Sequence, residues 1–222
     1  MLKNSIWRER NAWLFFSGTT ISKLGDKFYI IAIPWLIYEL TESAASMGMM
    51  FLFQTLPFIF ISPIAGVLAD RFPRRILLFS TAILQGTLVA VIPTLHLFQL
   101  LHIWHIYVLG FFIASLGAIF SVVNATVVPQ LFKKEVLIKV NATHQFIDTS
   151  SVLFGSMLAG ILISKIGVFN VLLLDAFSYI PIAVSILLLT FLTKEAPVAK
   201  KSNSWDQLRE GANFLLKHTI LG

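Results

Sequence analysis

Lys23, Asp26 and Lys27 occupy positions i, i+3 and i+4 of an apolar run, so in a helix all three share one face. A carboxylate flanked by two amines in such a setting can do either of two things. It can face a cavity and bind a proton or a cationic substrate, with Lys23 as its partner, or it can form a structural ion pair that locks the first apolar run to the fifth. A second polar stripe, Asn141, His144, Gln145, Asp148 and Ser151, recurs at helical spacing in the fifth run opposite an apolar face. Such a stripe must line water or another helix, which makes Gln145 and Asp148 candidates for the path of a small molecule. Gln54 in the second run and Asn124, near the expected end of the fourth, are candidates for the same lining. Asp175 in the sixth run reads instead as a helix-packing residue. His96, His102 and His105 lie beside Trp104, a grouping that suits an interfacial belt better than a metal site.

The densest charge chemistry lies in "GVLADRFPRR", Gly66 to Arg75. Gly66 would permit close helix approach, and Asp70 could accept from backbone N–H groups at a helix start or from an arginine. Arg71, Arg74 and Arg75 resist transfer into lipid. No nucleophile, base and orienting group can be assembled from these segments, so an enzyme is not supported and no cofactor is implied. No Gly-x-x-x-x-Gly-Lys loop is present to support ATP drive.

The elements that must position these residues follow from composition. Hydrophobic residues make up 57% of 222, charged residues 13%, and the mean hydropathy is +0.82, more apolar surface than a soluble domain can hide. The pattern predicts an all-α membrane protein with six transmembrane helices at about 12–40, 46–69, 76–95, 103–123, 140–164 and 168–192. Fourteen of the 17 Lys and Arg residues fall before the first helix, in the two even-numbered connections or after the sixth helix, against Lys165 alone in the other connections. The positive-inside rule then places both termini in the cytoplasm of a bacterial inner membrane. The formal charge of +6 reflects this topology and not a nucleic-acid face. Residues 1–193 form the membrane domain, and 194–222 form a cytoplasmic segment with an amphipathic helix at about 205–217. "AGVLADRFPRRILL" from Ala65 and "AGILISKIGVFNVL" from Ala159 are alike at an offset of 94 residues. An offset of three helices puts the copies on opposite membrane sides, so the helices are expected to form two inverted three-helix repeats.

The loop from Gly66 to Arg75 resembles the signature loop of the major facilitator superfamily, with Gly66, Leu68, Ala69, Asp70, Arg71, Arg74 and Arg75 in register and Pro73 where glycine is usual. "LGDKFYIIAIPWLIYELTES", "NATVVPQLFKKEVLIKVNATHQ" and "LFGSMLAGIL" resemble the macrolide-efflux and enterobactin-exporter branch. Gly155 and Gly160 fit the antiporter signature of the fifth helix, whereas its proline is absent, and the fourth helix lacks the arginine that many drug/proton antiporters carry.

The resemblance implies the N-terminal six-helix half of a secondary transporter that exports hydrophobic or amphiphilic small molecules such as macrolide-type drugs, with a proton as coupling ion and the bilayer as solvent. Its expected partner is a C-terminal six-helix half or a second copy. Siderophore or lysophospholipid export by the same fold is the near alternative. A non-transporting half, a remnant or an accessory membrane subunit, is the distant one.

Overall fold

The computed structural model describes residues 10–190. Lys3, Arg8 and the expected cytoplasmic segment at 194–222, with its amphipathic helix, lie outside the described residues. Seven α-helices run as α1 (Arg10–Thr41), α2 (Ala44–Arg71), α3 (Arg74–Leu97), α4 (Ile103–Leu131), α5 (Leu137–Ser150), α6 (Ser156–Ile166) and α7 (Val168–Leu188). A 3-10 turn, Lys134–Val136, leads into α5, and a π turn, Ser151–Gly155, joins α5 to α6, so Lys134–Ile166 is one continuous rod. The described residues thus form six long rods, five of them long and apolar enough to cross a membrane. The remaining rod, α1, has the length but carries Lys23, Asp26, Lys27 and Glu39.

Helix ends follow local chemistry. Ser43 caps α2 by accepting from the Ser46 N–H at 3.3 Å. Pro73, which has no N–H to lose, stands at the N-cap of α3. Gly167 takes φ +83° between α6 and α7, a conformation that a Cβ would strain. At the far end of α7 the chain turns extended at Leu189, short of the expected 192, because α1 takes over the orphan carbonyls. Arg10 donates to the Leu188 carbonyl at 3.0 Å and Asn11 accepts from the Thr190 N–H at 3.1 Å.

The largest departure from the sequence expectation is α4, which runs to Leu131 instead of stopping near Val123. Asn124 and Thr126 look like the polar end of a helix. Yet Val123, Val127 and Leu131 bury one face of the added turns, and Pro129 is accommodated within the helix.

The rods pack in a defined order. α7 lies against α1 and α3, α3 against α4, α4 against α2, and the π turn with α6 against α1. α7 is the most enclosed, with Val171, Leu172, Ala176, Ile182 and Ile186 in the core. α2 buries only Met50, Pro57, Ala65 and Ala69 of its 28 residues. Large apolar side chains such as Phe51, Phe60 and Phe177 point outward, as expected where lipid is the solvent. Arg10, the α2–α3 turn and the α4–α5 turn gather most of the cationic residues at one end of the bundle, its basic end.

Candidate functional site

Four rods enclose one side of a cavity of about 760 Å³. α1 contributes Thr19 to Ile30, α2 contributes Gln54 and Phe58, α4 contributes Ile113 to Pro129, and α5 contributes Leu137, Asn141 and His144. Gln85 of α3 and Tyr179 of α7 close the back. The cavity exists where it does because α1 spends its small residues on α7. A Cβ on Gly18 would press on Ser185 and one on Gly25 would overlap Ser178, so α1 leans back onto α7. Lys23, Asp26 and Lys27 are thereby turned toward the open side.

Of the residues expected to line a path, Lys23, Asp26, Gln54 and Asn124 are brought together in this wall. Asn124 lines it because α4 continues past it. Asp148 sits just behind the wall, where it forms an ion pair with the Lys23 ammonium and accepts from His144 Nδ1 at 3.3 Å. Gln145 is exposed and outside the lining. The ion pair therefore joins α1 to α5, but through Lys23 and Asp148. Asp26 has a different partner: the Tyr179 hydroxyl of α7 donates to its Oδ1 at 3.0 Å. Lys27 follows on the same face of α1, its stem against Gly155 of the π turn.

Sequence reasoning passed over Tyr29, Gln85 and Tyr179. Tyr29 lies three residues from Asp26, and Tyr179 lies four from Asp175, so helical spacing from each acid was the available signal. Buried polar atoms are almost always paired, yet Tyr29 Oη, Gln54 Nε2 and His144 Nε2 have no protein partner. All three belong to residues of the cavity wall, where a guest or water can complete them. Asp175 is fully buried, against the expectation of a satisfied packing residue: its Oδ2 has no partner.

The loop from Gly66 to Arg75 sits at the basic end, outside the cavity lining. Arg74 donates to the Thr126 carbonyl of α4 at 3.4 Å, tying the α2–α3 turn to the extension of α4. Arg75 is half-buried, and Asp70 and Arg71 are exposed. Among the described residues a Cβ on Gly66 would meet nothing within 4 Å; Ala65 and Ala69 make the buried face of this turn of α2. Of the three histidines near Trp104, His105 Nδ1 accepts from the His102 N–H at 3.0 Å as a helix cap, and His96 stacks on Phe169.

Residues 15–221 match the family model of the Major Facilitator Superfamily. The chain is 27% identical over 217 residues to an uncharacterized MFS-type transporter, YfiS, of Bacillus subtilis, covering 96% of this chain and 51% of that protein. It is 22% identical to the multidrug efflux pump Tap of Mycobacterium tuberculosis, covering 95% and 52% respectively. Over 166 residues it is 26% identical to macrolide efflux protein A of Streptococcus pyogenes, covering 74% and 40%. The chain thus spans about half the length of the curated relatives it matches. No solved structure matches it significantly.

Proposed function

The chain belongs to the major facilitator superfamily and is a multi-pass membrane protein, and on that premise we propose that it forms the N-terminal six-helix half of a proton-coupled exporter. Its substrates are hydrophobic or amphiphilic small molecules such as macrolide-type drugs, moved by alternating access. The observation that carries this reading is the cavity of about 760 Å³, in the size range of small-molecule sites, with Asp26 in its wall. A membrane-embedded carboxylate facing a cavity is a natural carrier for a proton. The apolar remainder of the wall, including Ile30, Phe58, Ile113 and Phe120, suits an apolar guest. The similarity to a multidrug efflux pump and a macrolide efflux protein supports the substrate class.

The wall is one-sided, and a second six-helix body, either a C-terminal half or a second copy, would supply its opposite face. In a bacterial inner membrane the basic end faces the cytoplasm, which puts both termini inside. The six rods read as two inverted three-helix repeats. Positions 94 residues apart behave alike: Ala65 and Ala159 are fully buried, Gly66 and Gly160 face open space, and Pro73 and Gly167 are N-caps.

Transport by the complete exporter, assayed against pH with Asp26→Asn and Asp26→Glu, tests the assignment. Asp26→Asn should abolish dependence on the proton gradient while Asp26→Glu retains it. Unchanged coupling in Asp26→Asn would sink the reading.

A further inference from the structure

Asp175 is a further acid in the helix bundle besides Asp26 and Asp148, one that no step of the proposed cycle uses. It is completely buried in α7 and does not line the cavity. Its Oδ1 receives only a long contact from Ser178 Oγ at 3.5 Å, and its Oδ2 has no partner. Three elements pack on α7, and none brings a balancing cation within ion-pair distance. α1 presents Asp26 and Tyr29, while Lys23 is engaged by Asp148 and Lys27 makes no ion pair with Asp175. α3 approaches through Gly86, with Gln85 beside it; Arg74, Arg75 and His96 lie ten or more residues away, about 15 Å along the helix. α6 carries only Lys165, which is exposed at its end. An anion so placed would be buried with neither a cation nor a full set of donors, the least favourable state for a carboxylate. A neutral acid in the same place is an ordinary polar group.

The position is also not isolated from the site. A Cβ on Gly25 would overlap Ser178 and meet Asp175 Oδ1 at 2.7 Å, so Asp175 lies directly against the turn of α1 that carries Asp26. Tyr179, one turn along α7 from Asp175, donates to Asp26. One rigid helix face therefore holds the back of Asp26 and buries Asp175.

We propose that Asp175 is a second proton-binding site of the transporter, closed by the α1–α7 contact in this conformation and opened to water when that contact loosens during the cycle. On loosening, the Asp175 O–H bond breaks, the proton passes to water, and Ser178 remains as a donor to the anion. Reclosure requires a proton to be taken up again. This rests on the proton-coupled reading of Asp26, and it makes the number of protons moved depend on two acids, not one.

The test is substrate accumulation and counterflow by the complete exporter in proteoliposomes, for wild type, Asp175→Asn and Asp175→Glu. Asp175→Asn, which mimics the neutral acid, should keep counterflow within about twofold of wild type and lose gradient-driven accumulation about tenfold, with Asp175→Glu restoring it. If wild type is not driven by a proton gradient, the coupling reading itself fails. If wild type is driven and Asp175→Asn is driven equally, only the Asp175 assignment is overturned. Should Asp175→Asn not fold, infrared spectra of Asp26→Asn protein labelled with 13C-aspartate decide the matter. A protonated-carboxyl band at neutral pH that is lost from the matching Asp175→Glu protein supports the proposal, and the absence of such a band overturns it.

Discussion

Lys23 and Asp148 are each about two-thirds buried and hold α1 against α5 from the edge of the cavity. Removing either one leaves the other charge in a low-dielectric wall, so the single substitutions Lys23→Met and Asp148→Leu should each destabilise the protein by about 1–3 kcal/mol. The double substitution should recover most of that loss. A double-mutant cycle on thermal unfolding in detergent checks this, and additive losses would mean that the pair contributes nothing. The same pair explains why Asp26 is free to face the cavity. Lys23, the amine one helical turn before it, is already engaged by Asp148, and the hydrogen bond of Asp26 comes from Tyr179 on another helix. That exchange of partners was not legible in the sequence, where Lys23 and Asp26 share a helix face and look like each other's neighbours. Local spacing fixes which residues can meet within a helix but is silent on which helix arrives from across the bundle.

At the scale of elements, helices touch where side chains are smallest. Gly25 is where α1 meets α7 most closely, and Gly25→Val should therefore force the two helices apart at a cost of about 1–3 kcal/mol. Gly66→Ala should cause no loss and stabilise by about 0.5–1 kcal/mol, because its Cβ would enter open space in a helix interior. Comparing the unfolding of the two variants checks both statements at once; equal losses would contradict the packing described. Each rod was legible as a long, mostly apolar run, because a helix in lipid must be apolar over most of its length. The errors cluster where polar residues do something other than end a helix. Asn124 lines the cavity as its polarity suggests, but it does so within a helix that goes on to Leu131 and not near a helix end. The π turn at Ser151–Gly155 has no signature in the apolar pattern, since one extra residue per turn changes the register without changing composition.

For the whole molecule, the account predicts a one-sided wall, with the polar residues of α1, α2, α4 and α5 turned to a shared space and α7 turned to the interior behind it. This arrangement was only partly legible, because the polar stripes on the first and fifth helices announce a water-facing surface but not that they face the same one. This sequence contains no cysteine, so a single cysteine placed in it is the only one these 222 residues contribute. The most direct measurement is labelling of Asn124→Cys and Ser121→Cys by a polar, membrane-impermeant maleimide, with Ile180→Cys on the exposed face of α7 as the lipid-facing reference. The account predicts rapid labelling at positions 124 and 121 from the basic side, slowed by a macrolide-type drug, and little labelling at 180. Labelling at 124 and 121 as slow as at 180, or indifferent to every macrolide-type or other amphiphilic drug tried, would contradict it.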